Sequence, residues 1–145
     1  MAIPIDRIEY RRNEMERAFP AANVSVRPAL VSTIQGMSRT AAQRGDAHVV
    51  ATAVAAKATF IVTHNVKDFS PQVLDRYGLS KARPDPFCVD LLASHEAQVL
   101  AGIRRHRASL KRTPMTPAQY VEHLADDRLG MPGLARALVP HLDCI

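Results

Sequence analysis

The sequence predicts an α/β fold: a parallel sheet with helices on both faces, followed by a helical C-terminal arm. Three observations carry that prediction. Residues 46–69 read as an Ala/Val-rich helix, a tight turn, a short apolar strand (Thr59–Thr63) and a polar loop. The first 93 residues mix helical and extended patterns between proline and glycine breaks. From Ser94 onward every periodic stretch has helical spacing. Residues 1–93 are therefore expected to form the α/β domain, and 94–145 a helical extension packed on it.

Taken in order, Ile5, Ile8, Met15 and Phe19 fall near one face and predict a helix over 5–18, ended by Pro20. Residues 23–26 (NVSV) alternate and predict a short strand stopped by Pro28, and 29–37 a helix. The polar stretch 38–45 reads as a loop. Ser70-Pro71 is a helix start, and Gly78 suits the left-handed residue after the helix end. Asp85-Pro86 repeats the start signal before 87–92. Ser94 opens a helix to about Lys111 with Val99, Leu100, Ile103 and Leu110 on its apolar side. Thr116-Pro117-Ala118-Gln119 is a capping box opening a helix to about Arg128. The run 130–133 (GMPG) breaks it, and Leu134, Leu138 and Leu142 mark a final short helix.

The composition narrows the function classes. No apolar run approaches the roughly 20 residues needed to cross a bilayer, and the N-terminal stretch has charges in place of a secretory apolar core. A cytoplasmic protein without membrane partners is expected. Cys88 and Cys144 lie far apart with no metal-ligand spacing; the expectation is one buried thiol and one loose tail thiol. A formal charge of +5 and a pI near 9.7 favour a polyanionic partner.

The placement of acids in 45–69 points to chemistry. A helix from Asp46 to Lys57 and a strand over 59–63 would each span about 17 Å. Packed antiparallel, they return the loop 64–68 to the side of Asp46, at the carboxyl end of a strand, where open α/β sheets build sites.

These residues carry a family resemblance. Asp46 opening a helix with Ala51, Ala53 and Ala55, the strand residues Ile61-Val62, and the run Thr63-His64-Asn65-Val66-Lys67-Asp68-Phe69 together resemble the PIN domain family, the ribonuclease fold of VapC-type toxins. The resemblance extends through SPQVLDRYGL, PDPFCVDLL and the C-terminal RASLKRTPMTPAQYVEHL, so it covers about residues 5–142. It implies a Mg²⁺- or Mn²⁺-dependent endoribonuclease with RNA as substrate and an acidic antitoxin as partner. By the same resemblance Asp46 and Asp68 hold metal, Asn65 orients a ligand or water, and Thr63 fixes the loop. PIN domains begin with a central strand ending in Asp and carry a Glu on an early helix; neither can be placed here. The chain thus resembles a truncated PIN-like three-layer fold, inactive by itself. It is a remnant, one half of an enzyme completed by a second chain that supplies the strand, or a homodimer that re-pairs its open sheet edges. The alternative function is a non-enzymatic binding or interaction subunit of a toxin–antitoxin-like complex.

Each candidate has a plainer reading. Asp46 by position alone is an N-cap, and both roles can coexist. Asp68 could cap the Ser70 turn, and Asn65 is a natural turn residue. His48 points away from Asp46, because residues two apart on a helix do not share a face. His64, in the loop, is a weak candidate for a phosphate contact. Arg104, Arg107 and Lys111 fall within about 60° on one helix face. They form either a phosphate clamp or a solvated rim whose stems cover apolar surface.

Overall fold

The computed structural model describes residues 4–145; residues 1–3, the start of the first predicted domain, lie outside the described residues. The chain forms two compact units: 1–61 with 67–81, and 62–66 with 82–145. The grouping puts residues 84–94 with the C-terminal helices, whereas the sequence places a boundary after residue 93.

In the first unit, α1 (Ile5–Ala18) matches its predicted span but buries none of its residues. Residues 23–27 have no regular secondary structure and, among the described residues, no ladder partner, so the strand expected at 23–26 does not form. Its alternation has another cause: Val26 seats against the core while no strand lies beside it. Pro28, read as a stop, is instead the first residue of α2 (Pro28–Met37), where its missing N–H costs no helical bond. The loop expected at 38–45 contains α3 (Ala41–Gly45). Thr40 caps it by accepting from Gln43 N at 3.1 Å, while the Gln43 side chain accepts from Arg39 N at 2.9 Å. Then comes α4 (Ala47–Ala55), closed by Lys57 at φ 54° with Ala58 N donating to Ala53 O. A glycine usually takes that left-handed position, since a Cβ there is crowded.

The strand β1 (Phe60–Val62) is followed by a 3-10 turn (Val66–Asp68) and α5 (Pro71–Arg76). Gly78, at φ 65°, lets Leu79 N return to Leu74 O, as its sequence position predicted. The next three residues form β2 (Ser80–Ala82), which sequence reading missed because Ser-Lys-Ala has no apolar alternation. β1 and β2 make a two-stranded sheet. Ser80 N donates to Thr59 O and Thr63 N to Ala82 O, so the register advances in the same direction along both strands and the pair is parallel. The α/β class and the parallel sense are as predicted. The core of this unit gathers Ile34, Ala47, Val50, Ala51, Ala53, Ile61, Phe69, Val73, Leu74 and Leu79.

The second unit holds α6 (Pro84–Ser94), α7 (Glu96–Ser109), α8 (Pro117–Ala125), α9 (Pro132–Leu138) and a closing 3-10 segment (Val139–Cys144). The helix start read at Asp85 falls at Pro84, and the one read at Ser94 falls at Glu96. Helix α8 stops at Ala125, short of the expected Arg128. The core here is Leu92, Leu100, Tyr120, Leu124, Leu134, Ala135, Leu138 and Ile145.

Candidate functional site

Asp46 sits at the junction of α3 and α4. Its N–H donates to Ala42 O at 3.0 Å, and its carbonyl accepts from Val49 N at 3.0 Å. The half-buried side chain makes no capping hydrogen bond. The N-cap reading is thus corrected for the carboxylate: backbone groups close this junction and leave the side-chain oxygens available. The positive end of the α4 dipole favours a negative charge at that position. His48, by contrast, is tied down, with Nδ1 at 2.8 Å from the Gly45 carbonyl.

Asp68 ends the 3-10 turn. It borders a narrow crevice with Ser38, Gln43, Val50 and Ser70. Val50 lies one helical turn from Asp46, so the polypeptide after β1 does return toward the first turn of α4. The crevice volume is about 10 Å³, at the lower limit for one water. Phe69, only 4% exposed, anchors this end of the loop, and the Lys81 ammonium donates to its carbonyl. Ser70 precedes α5 without a side-chain capping bond.

In the second unit, Thr63 Oγ1 accepts from Asn65 N at 3.1 Å. That bond folds the backbone right after β1, where a Thr hydroxyl competes well for a local N–H. His64 faces the turn at Gly130, whose φ is 61°; a Cβ added there would lie 3.9 Å from the His64 Cε1.

The three basic candidates of α7 and its end part company. Arg107 is half-buried; its Nη1 donates to Met115 O at 2.7 Å and its Nε is buried without a partner. It tethers the segment between α7 and α8. Arg104 and Lys111 are exposed.

Sequence reading missed two contacts here. Asp85 does not cap its own helix. Its two oxygens accept from Gly133 N at 2.9 Å and Leu134 N at 2.7 Å, so it caps α9 from 48 residues away. A Cβ on Gly133 would stand 2.8 Å from Asp85 Oδ2, so only glycine leaves room for the carboxylate. The signal was present in Pro132-Gly133 at a helix start lacking a local capping side chain. His106 Nδ1 lies 2.8 Å from the Tyr120 hydroxyl, with the rings edge to face. Cys88 is half-buried rather than buried, and burial, aided by Asp85, pushes its thiol up. Cys144 is exposed, as expected.

Among the described residues no three His, Cys, Asp or Glu side chains gather into a group that could hold a metal. No helix among them is long and apolar enough to cross a membrane.

Residues 84–140 match the family described as the VapC50 C-terminal domain. The chain is 33% identical over 95 residues to a protein of Mycobacterium tuberculosis (strain H37Rv) named "Putative ribonuclease VapC50". That match covers 66% of this chain and 56% of the relative, so the chain spans little more than half of the relative's length. No solved structure matches the chain.

Proposed function

We propose that the chain is a member of the VapC-type PIN toxin family and that it carries part of the acidic site of a metal-dependent endoribonuclease. Asp46 and Asp68 are the metal-holding carboxylates, and Asn65 orients a ligand or water. Both acids and the amide offer hard oxygen donors, the kind Mg²⁺ and Mn²⁺ take. Such a cation, when bound, polarises a phosphate and activates water. The residues of this chain do the holding. Asp46 presents oxygens that its own helix does not use. The Thr63 hydroxyl fixes the backbone of Asn65, and buried Phe69 fixes the turn that carries Asp68. The substrate class is RNA, and an acidic antitoxin is the regulatory partner. The observation that carries the reading is the return of Asp68 to a crevice shared with Val50, one turn from the uncapped carboxylate of Asp46.

Two carboxylates are a small ligand set, and charge count governs affinity for hard cations. The chain alone is therefore inactive or very weak. The test is Mn²⁺ titration by calorimetry, with RNA cleavage followed on the same sample and Asp46→Asn as control. Weak binding and no cleavage are expected from the chain alone. Cleavage that disappears in Asp46→Asn would show a complete site and overturn the inactivity. Cleavage that survives Asp46→Asn would remove Asp46 from the chemistry.

A second reading, a non-enzymatic interaction subunit, draws on a different feature: α1 carries apolar side chains that nothing among the described residues covers. Under that reading a second chain bearing further acids would bind without creating nuclease activity. Under the first, it would restore cleavage.

A further inference from the structure

Ile8 and Met15 lie about 20° apart around α1, a spacing that ordinarily marks the face turned to a core. Here Ile8 is 54% exposed, Met15 69%, and Phe19, just past the helix end, 68%. The chain after α1 folds back: Ala22 N donates to Phe19 O at 2.9 Å, and Asn23 Nδ2 to Glu16 at 2.9 Å. The result is an open groove of about 710 Å³ with Ile8, Met15, Phe19 and Ala22 along it.

Its rim is basic. Arg7, Arg11 and Arg12 line the same groove. Arg12 has Glu16 at 3.8 Å, but Arg7 and Arg11 have no acidic partner among the described residues. We propose that this groove docks an amphipathic segment of a protein partner. Its apolar side chains would cover Ile8, Met15 and Phe19, with Asp or Glu set against Arg7 and Arg11. The proposal deepens the interaction reading and does not depend on the nuclease one.

Charge complementarity selects this occupant. Apolar contact supplies the burial, and opposite charge at the rim fixes register and excludes wrong partners. A second copy fits less well: a two-fold interface sets the same patch against itself, and the acid that this patch offers, Glu16, already faces Arg12 and Asn23, so Arg7 and Arg11 would stay unanswered. RNA fits less well too. Sequence-tolerant RNA grooves stack bases on aromatic rings, and this groove offers Phe19 alone among aliphatic side chains.

The probe is a fluorescent amphipathic helical peptide of about 15 residues, matched to the length of α1. It has a leucine face flanked by Glu, and its counterpart has every Glu replaced by Lys. Anisotropy is read on the full chain. The acidic peptide should bind at least about ten-fold more tightly than the basic one, with the order reversed by Arg7→Glu combined with Arg11→Glu. Phe19→Ser should weaken the acidic peptide about ten-fold while leaving the melting temperature unchanged, since its ring is exposed. Equal binding of the two peptides, still lost in Phe19→Ser, would overturn the acidic partner but keep the docking face. Binding of neither peptide would overturn the docking face itself. A native dimer dispersed by Phe19→Ser would give the groove to a second copy and overturn the proposal. So would an RNA oligonucleotide that binds the groove more tightly than the acidic peptide.

Discussion

Helices α1 and α8 look alike in sequence and differ in fate. Each sets large apolar residues on one side, Ile8 and Met15 in the first, Tyr120 and Leu124 in the second. Helix α8 has 9 residues, a complete capping box at Thr116 and Gln119, and buries both Tyr120 and Leu124. Helix α1 has 14 residues, a Pro4 start without a side-chain cap, and buries nothing. The longer helix is the less supported one. Periodicity reports that a face exists; burial needs another element to meet it, and α9 meets α8. Most helical stability in proteins comes from such packing and little from propensity.

Substitutions can break that contrast. The largest effect is expected in the core that holds α8. Leu138→Ala removes a side chain with no exposure and should destabilise by about 2–5 kcal/mol in urea unfolding. Ile8→Ala on the exposed face should cost at most about 0.5 kcal/mol. Equal losses would mean that α1 is covered in solution, and the contrast would fail.

A middle-sized effect belongs to the cap between α6 and α9. Asp85→Ala leaves two half-buried N–H groups unpaired and should cost about 1–3 kcal/mol. Gly133→Ala should cost a similar amount, because its Cβ displaces the same carboxylate. Combining the two should give much less than the sum, since they remove one interaction. Full additivity in the double mutant would show that Gly133 is required for another reason.

The smallest effect sharpens the comparison at the helix start. Thr116→Ala should lower stability by about 1 kcal/mol through loss of the bond from Gln119 N, measured by thermal melting. No loss would mean that packing alone, without the cap, separates α8 from α1.

Local chemistry was legible in the residues. The capping box at Thr116, the left-handed Gly78, the α4–β1 unit and the helical C-terminal half were read directly, because each depends on neighbours a few positions away. The Thr40-Ala41-Ala42-Gln43 start of α3 is equally local, yet its polar neighbours give the stretch the composition of a loop. Of the candidate site, the residue types and their order were readable, and so was the return of Asp68 toward α4, since helix rise and strand rise fix where a short unit ends. That Asp46 leaves its carboxylate uncapped was not. Its position matches a cap, and only the backbone closure from Ala42 to Val50 frees the side chain.

The sequence by itself determined the α/β class, the helix starts at Pro71 and Pro117, and the acids at the two ends of one helix–strand unit. Tertiary structure alone decided that Asp85 serves α9, that Arg107 serves Met115, and that, among the described residues, no strand lies beside Val24 and Val26 and nothing covers the apolar face of α1. The physical reason is range. Caps, turns and periodicity are set within a few residues, whereas a hydrogen bond across 48 positions, or the covering of a face, depends on which distant segment arrives there.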